Sequence, residues 1–253
     1  MNEQSLPLSA LDAYAPVQPE KADALLKEAL EGQRDKIVVI DDDPTGVQTV
    51  HGIHVYTDWT EQSILEGFEE ENRMFFLLTN SRSMTRKETR EVHEQIARGV
   101  MKASRATGKP FVIISRSDST LRGHFPLETE TLRQEIERAG GQPYDGEILC
   151  PFFCEGGRYT LGNVHYVKEG DRLVPAGETE FARDRSFGYT HSRLDEWCEE
   201  KTGGPYPASG TTCIPLEMLR ELDADGVARL LAGVHGFGKV VVNAAAYEDV
   251  KVF

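Results

Sequence analysis

Apolar residues recur along this chain in two textures, short continuous runs and stretches spaced every three or four positions. The runs are Ile37 to Ile40, Met74 to Leu78, Phe111 to Ile114, Glu147 to Cys150 and Lys239 to Val242. They are short and mostly apolar, as strands buried on both faces are. Residues 20–31, 60–70, 85–107, 127–139, 192–201 and 216–232 carry helical spacing, and in the longest Val92, Ile96, Val100 and Ala103 share one face. Gly52 to Thr57 alternates as a further strand, and Thr211 to Pro215 reads as a short strand or connector. Strand, polar turn and helix in repetition predict an α/β fold: a mostly parallel sheet with helices on both faces and strand-end polar loops on one rim. Two stretches stand outside the pattern. Residues 1–19, with Pro7, Pro16 and Pro19, read as an arm lying over the surface or on a partner. Residues 155–191, rich in Gly, Arg and aromatics, show little periodicity and predict a site-covering excursion, being too long for an idle loop. The expected organisation is an arm and helix over 1–35, then one α/β domain over 36–253.

Open parallel sheets bind ligands outside the carboxyl ends of their strands, so the polar residues that end each run carry the chemistry. Asp41-Asp42-Asp43-Pro44-Thr45-Gly46 ends the first run and Thr79-Asn80-Ser81-Arg82-Ser83 the second. Ser115-Arg116-Ser117-Asp118-Ser119-Thr120-Leu121-Arg122-Gly123-His124 ends the third, and Asn243 follows the last. Three adjacent carboxylates repel one another, and a fold keeps them together when a cation, a polyol or an arginine cluster lies opposite. Acids and arginines gathered on one rim suit a small anionic polyhydroxy ligand. Arginine grips a carboxylate in bidentate fashion, and aspartates accept from hydroxyls. The plainer readings are a solvated acidic turn with Asp43 as a cap, and an ordinary helix entry capped by Ser119 or Thr120.

Composition narrows the field. Over 253 residues the formal charge is −14, which argues against nucleic-acid binding, since phosphate contact needs a basic face. No apolar run approaches a membrane span, and the first residues lack the basic and apolar regions of a signal peptide, so the expected location is cytoplasmic. The four cysteines are irregularly spaced and only Cys150 and Cys154 are close. Neither a disulfide framework nor a zinc site is expected, and no residue is assigned to metal. His165 and His191 lack a triad partner nearby in sequence and read as hydrogen-bonded structural histidines. No Walker loop or G-x-G-x-x-G follows a strand, and Glu155-Gly156-Gly157-Arg158 alone is a turn. Asp41 to Thr45 does fit the D-x-D-x-T signature of haloacid-dehalogenase-type phosphatases. There Asp41 would be the nucleophile, Asp43 an acid/base, and the acids would hold magnesium. The later acidic pair of that signature is missing in the required order, Glu248-Asp249 being the nearest.

Asp42-Asp43-Pro44-Thr45-Gly46, Thr79-Asn80-Ser81-Arg82, Ser117-Asp118-Ser119-Thr120-Leu121-Arg122-Gly123 and Gly162-Asn163-Val164 together resemble the four-carbon acid sugar kinase family, formerly a domain of unknown function. The family's turn usually reads D-D-L-T-G, so Pro44 replaces a common leucine. The resemblance covers roughly residues 36 to 250. It implies a two-domain kinase: an N-terminal α/β domain binds the sugar acid, and a C-terminal domain with glycine-rich loops binds ATP. The reaction would phosphorylate the terminal hydroxyl of a tetronate or 3-oxo-tetronate. This sequence stops where the second domain is expected, so the chain alone is expected to bind the acceptor and turn over slowly or not at all.

On that resemblance Asp42 and Asp43 are the catalytic candidates, one of them orienting or deprotonating the attacking hydroxyl. Arg82, Arg116 and Arg122 would hold the substrate carboxylate. Asp41, Thr45, Gly46, Asn80, Ser81, Ser117, Asp118 and Gly123 would complete the pocket, and Arg158 would reach it from the 155–191 excursion. ATP and Mg2+ would arrive through the missing C-terminal domain, which is the expected partner. A surface left by its absence would favour a homodimer. The alternatives are a non-catalytic sugar-acid-binding module or half of a split kinase, and third the phosphatase that uses Asp41-x-Asp43.

Overall fold

The computed structural model describes residues 4–45 and 50–253. They build two compact units. A central unit holds Gly32–Asp118 and Gly123–Pro143, and a flanking unit holds Met1–Glu31, Ser119–Arg122 and Tyr144–Phe253. The chain opens with strand β1 (Leu6–Pro7), a 3-10 turn over Leu8–Ala13, and helix α1 (Pro19–Leu30). Proline suits the first position of α1, where its missing N–H has no helical partner to lose.

The central unit runs β2 (Lys36–Asp41), β3 (Val55–Tyr56), α2 (Glu61–Glu69), β4 (Met74–Leu78), α3 (Arg86–Thr107), β5 (Phe111–Arg116) and α4 (Leu127–Arg138). Its strands form one parallel sheet in the order β3-β4-β2-β5. Register sets Val38 beside Phe75 and Ile113 on one face. α2 packs there: the Phe68 ring meets Phe75 and Phe111 edge-on, with centroids at 5.8 and 6.2 Å. A Cβ on Gly67 would fall 2.6 Å from the Phe75 ring, so glycine is what lets the helix approach. α3 lies between α2 and α4. It begins at a capping box, the Thr85 hydroxyl accepting from Glu88 N while the Glu88 carboxylate accepts from Thr85 N, and it ends at Gly108 with φ 66°. The strand expected over Gly52–Thr57 is only Val55–Tyr56, because Gly52 sits in a turn with φ 68° just before it.

The flanking unit continues with β6 (Gly146–Leu149), β7 (Arg158–Leu161), β8 (Val164–Glu169), β9 (Arg172–Pro175), α5 (Leu194–Thr202), β10 (Thr212–Ile214), α6 (Leu216–Arg220), α7 (Ala224–Ala232), β11 (Gly238–Val242) and α8 (Tyr247–Val252). A parallel sheet β10-β11-β6 has helices on both sides. Ala22, Leu219, Val227 and Val252, from α1, α6, α7 and α8, bury Ile214, Val240 and Val242 on one face, and α5 sets Cys198 near Glu147, Lys239 and Cys213 on the other. Lys239 is buried, its Nζ 2.5 Å from Glu147 Oε2 and 4.0 Å from the ring centroids of both Tyr206 and Phe237.

The α/β fold with parallel sheets and flanking helices is as the pattern predicts. Four details differ. The parallel strands fall into two sheets instead of one. Residues 155–191 hold an antiparallel sheet, β1-β9-β8-β7, in place of an aperiodic excursion, and β1 draws the expected N-terminal arm into it through Leu6 opposite Leu173. The meander turns at Gly162-Asn163, with φ 56° and 69°, and at Gly170, with φ 62°, the left-handed conformations that two-residue hairpins need. The single helix expected over 216–232 is two, because Leu222 turns left-handed at φ 61° and the Asp223 carboxylate then caps α7 on Gly226 N at 2.8 Å. Finally, Asn243 does not share the rim of β2, β4 and β5. It lies in the flanking unit, where its Oδ1 accepts from Asn163 N at 2.7 Å and its Nδ2 donates to Ile214 O at 2.8 Å.

Candidate functional site

Three chain reversals at the carboxyl ends of β2, β4 and β5 make the site of the central unit. β2 is the middle of these strands, so its last residue, Asp41, has no exposed surface. Asp41 Oδ1 takes two long contacts, Asp43 N at 3.2 Å and Arg116 Nη1 at 3.4 Å. Its Oδ2 is buried with no hydrogen-bond partner among the described residues. Burial raises the Asp41 pKa above the ordinary carboxylate value, against the lowering pull of the Arg116 charge and the Asp43 N–H.

Asp42 is also buried and is gripped in bidentate fashion, Arg82 Nη2 to Oδ1 at 2.6 Å and Arg82 Nε to Oδ2 at 3.0 Å. Ser117 Oγ adds a bond to Oδ2 at 2.8 Å. Arg82 reaches Asp43 as well, Nη1 to Oδ2 at 3.0 Å. The other Asp43 oxygen accepts from Thr45 N at 2.8 Å and Thr45 Oγ1 at 2.5 Å. That hydroxyl bond, followed by the Thr45 N–H and the Arg82 and Arg116 charges, lowers the Asp43 pKa despite partial burial. One guanidinium therefore braces two of the three carboxylates and Arg116 the third. Asp118 lies close enough to add to the negative field around Arg82.

Backbone geometry fixes these groups. Asn80 is left-handed at φ 56° and its carbonyl accepts from Ser83 N at 3.1 Å, which turns the chain so that Arg82 faces back to Asp42. Gly123 has φ 141°, and a Cβ there would fall 2.4 Å from Ser117 Oγ and 3.3 Å from Asp42 Oδ2. Asp41, Asp42, Asp43, Thr45, Asn80, Ser81, Arg82, Arg116, Ser117, Asp118 and Gly123 thus belong to one cluster of the central unit. Arg122 and Arg158 belong to the flanking unit, where their guanidinium carbons lie 5.0 and 5.6 Å from the Phe181 ring centroid. Gly46 lies outside the described residues.

Two buried side chains behind the cluster escaped the sequence reading. Ser81 Oγ donates to Glu128 Oε1 at 2.6 Å, and His93 Nε2 stands 3.8 Å from the same oxygen. Glu128 is 3% exposed and His93 1%. Their signal was present: Glu128 shares a helical stripe with Thr131, Leu132 and Glu135, and His93 one with Val92, Ile96 and Val100. A titratable residue on the core stripe of a helix is buried by the helix that carries it. His165, by contrast, is structural as expected, bonded through Nδ1 to Thr160 Oγ1 at 3.0 Å and through Nε2 to Ser119 O at 2.7 Å. Among the described residues no helix is long and apolar enough to cross a membrane.

Comparison with known proteins fits this geometry. The family model for the sugar-binding N-terminal domain matches residues 37–253. A comparison with curated proteins gave no match. Two solved structures share the fold. One is a protein of Bordetella bronchiseptica with a domain of unknown function (DUF1537), solved with bound citrate as a domain-swapped dimer. It is 23% identical with a TM-score of 0.57, over 86% of this chain and 49% of that one. The other is a DUF1537 protein of Haemophilus influenzae, 15% identical with a TM-score of 0.59, over 85% of this chain and 50% of that one. The chain spans about half the length of these solved relatives. With the family model covering residues 37–253 and the strand-end motifs gathered as described, the chain belongs to the sugar-binding N-terminal domain family.

Proposed function

We propose that the cluster ending β2, β4 and β5 binds the acid sugar acceptor of an ATP-dependent kinase, a four-carbon or related sugar acid phosphorylated at its terminal hydroxyl. The observation that carries this reading is the unfinished hydrogen bonding of Asp41. A wholly buried carboxylate oxygen without a donor is costly, and a ligand hydroxyl supplies one. Arg82 and Arg116, already paired with aspartates, offer their remaining N–H groups to the ligand carboxylate. The citrate bound by the Bordetella relative is likewise a hydroxylated carboxylate.

In this mechanism the chain's own residues position and neutralise, which is most of what phosphoryl transfer asks of a protein. Asp43, whose side chain is 24% exposed against 3% for Asp42, is the reachable base and takes the proton of the attacking hydroxyl. Asp42 holds Arg82 in place. ATP and Mg2+ would belong to the partner kinase domain. The phosphatase reading lacks its later motif, since the acidic pair that its signature requires is missing in the required order. A homodimer accords with the domain-swapped Bordetella relative.

Thermal-shift measurement of this chain with threonate, erythronate, citrate and ATP–Mg2+ tests the reading. A ligand that binds only the folded chain raises the midpoint by mass action. The sugar acids should raise it and ATP–Mg2+ should not; stabilisation by ATP–Mg2+ alone would refute the acceptor-site assignment. In an enzyme that joins this chain to its kinase domain, Asp43→Asn should cut turnover about 10²- to 10⁴-fold with threonate affinity retained, the usual size of a general-base contribution. Full turnover by that variant would remove Asp43 from the chemistry.

A further inference from the structure

Behind the Asn80–Arg82 turn lies a closed chain of polar groups that the proposed reaction does not use. Asp41 O accepts from Thr79 Oγ1 at 2.9 Å, Thr79 Oγ1 lies 3.1 Å from Ser81 Oγ, and Ser81 Oγ donates to Glu128 Oε1 at 2.6 Å. His93 Nε2, 3.8 Å from Glu128 Oε1, is buried with no hydrogen-bond partner among the described residues. The other ring nitrogen, Nδ1, lies 2.7 Å from Thr89 O. A carbonyl only accepts, so Nδ1 carries a proton and Nε2 is the lone-pair nitrogen of a neutral ring. An acid and a vacant acceptor thus face each other in a site without water access.

We propose that Glu128 and His93 are a positioning pair for the strand-end site: one proton held between them sets the charge behind the Asn80–Arg82 turn, and with it the affinity for an anionic ligand. This rests on the sugar-acid reading. With the proton present, on either partner, the pair is neutral overall and Ser81 stays bonded. When the proton leaves to solvent, a buried carboxylate remains beside Asp42. It competes for Arg82 and repels the ligand carboxylate.

The groups that face Glu128 are Asp42 from the end of β2, Ser81 and Arg82 from the turn after β4, His93 from α3, and His124 from the loop before α4. Burial pushes the Glu128 carboxyl up to about 7; the Ser81 bond opposes this, Asp42 adds to it, and His124 and Arg82 oppose it. Burial lowers the His93 pKa, against the Thr89 bond and the Asp42 charge. The proton therefore rests on Glu128, and the pair loses it near neutral pH.

Isothermal titration of threonate at pH 6 and pH 8, on the wild-type chain and Glu128→Gln, tests the pair. It is run beside a ¹³C NMR titration of the wild-type side-chain carboxyls. The wild type should bind about fivefold more weakly at pH 8, the effect of one partly screened like charge. Glu128→Gln should bind equally at both pH values, and one buried glutamate should titrate near neutral. Threonate binding whose pH dependence is the same in both proteins overturns the pair's role alone. So does a Glu128 carboxyl that titrates in the ordinary carboxylate range, a readout that does not depend on the variant folding. Threonate binding absent from the wild type at both pH values overturns the sugar-acid reading, and this proposal's ligand effect with it.

Discussion

Asp41 and Asp249 are both buried carboxylates near the end of a parallel strand, and they are finished to different degrees. Asp249, in the first turn of α8, accepts from Arg220 Nε at 2.5 Å, Arg220 Nη2 at 3.2 Å, Ala245 N at 2.9 Å and Ala246 N at 2.8 Å. Asp41, at the end of β2, has two contacts longer than 3.1 Å and one oxygen with none among the described residues. Buried polar groups are normally satisfied. The flanking unit uses its buried charge as structure, while the central unit leaves acceptor capacity open where its strands end. On the proposed sugar-acid reading, that contrast separates a structural ion pair from a binding site.

The largest expected effect breaks the finished pair. Asp249→Asn should cost about 3 kcal/mol or more in urea unfolding, because it leaves Arg220 as a partly buried cation without its counter-charge. Asp41→Asn should change stability by less than about 1 kcal/mol, since burial already penalises that charge. Equal losses in the two variants would erase the distinction.

Next comes Glu128. Burial holds its folded-state pKa at about 7, above the ordinary glutamate value of 4.5, so the folded chain holds the proton more tightly than the unfolded chain. The stability this gives is fully present below pH 4.5 and is lost as pH rises through about 7. The decline is on the order of 3 kcal/mol, from 1.36 kcal/mol per unit. Urea midpoints measured from pH 4.5 to pH 8 should fall in the wild type and fall less in Glu128→Gln by that amount. A decline of the same size in both would assign it to other groups.

A third, smaller effect sharpens the site side. Arg82→Lys keeps the charge but loses the two-pronged grip on Asp42, and threonate affinity should drop about tenfold while stability falls by about 1 kcal/mol. The smallest concerns a turn remote from any ligand chemistry. Gly162→Ala places a side chain at φ 56°, and should cost about 1 kcal/mol with threonate affinity unchanged.

The sequence was most legible where local pattern and tertiary burial agree. β4 is found at Met74–Leu78 as the apolar run marks it, and α3 at Arg86–Thr107 starts on a capping box written in Thr85 and Glu88. Strand ends are legible for the same reason, and so the Asp41–Asp43, Asn80–Arg82 and Arg116–Asp118 segments could be named from their position after apolar runs. Less legible was the meander over 158–175. Its strands are four to six residues long, and its alternation is blurred by polar residues that are buried, such as Thr160 and His165. The Gly162-Asn163 hairpin signal was there to be read. Sheet membership was not: nothing local in Val240 or Val38 says which of two parallel sheets will hold it, because pairing is decided by contacts distant in sequence. The same holds for Arg122, which follows the Ser117-Asp118 motif yet groups with the flanking unit.

The central claim is that the Asp41–Asp43 cluster with Arg82 and Arg116 is a sugar-acid site. Isothermal titration of threonate into the wild-type chain and into Arg82→Ala, at pH 6, tests it most directly. The account predicts one-to-one binding to the wild type and a loss of about a hundredfold or more in the variant, the size of a lost charged hydrogen-bond pair. Equal binding by a folded Arg82→Ala chain would place the ligand elsewhere and contradict the account.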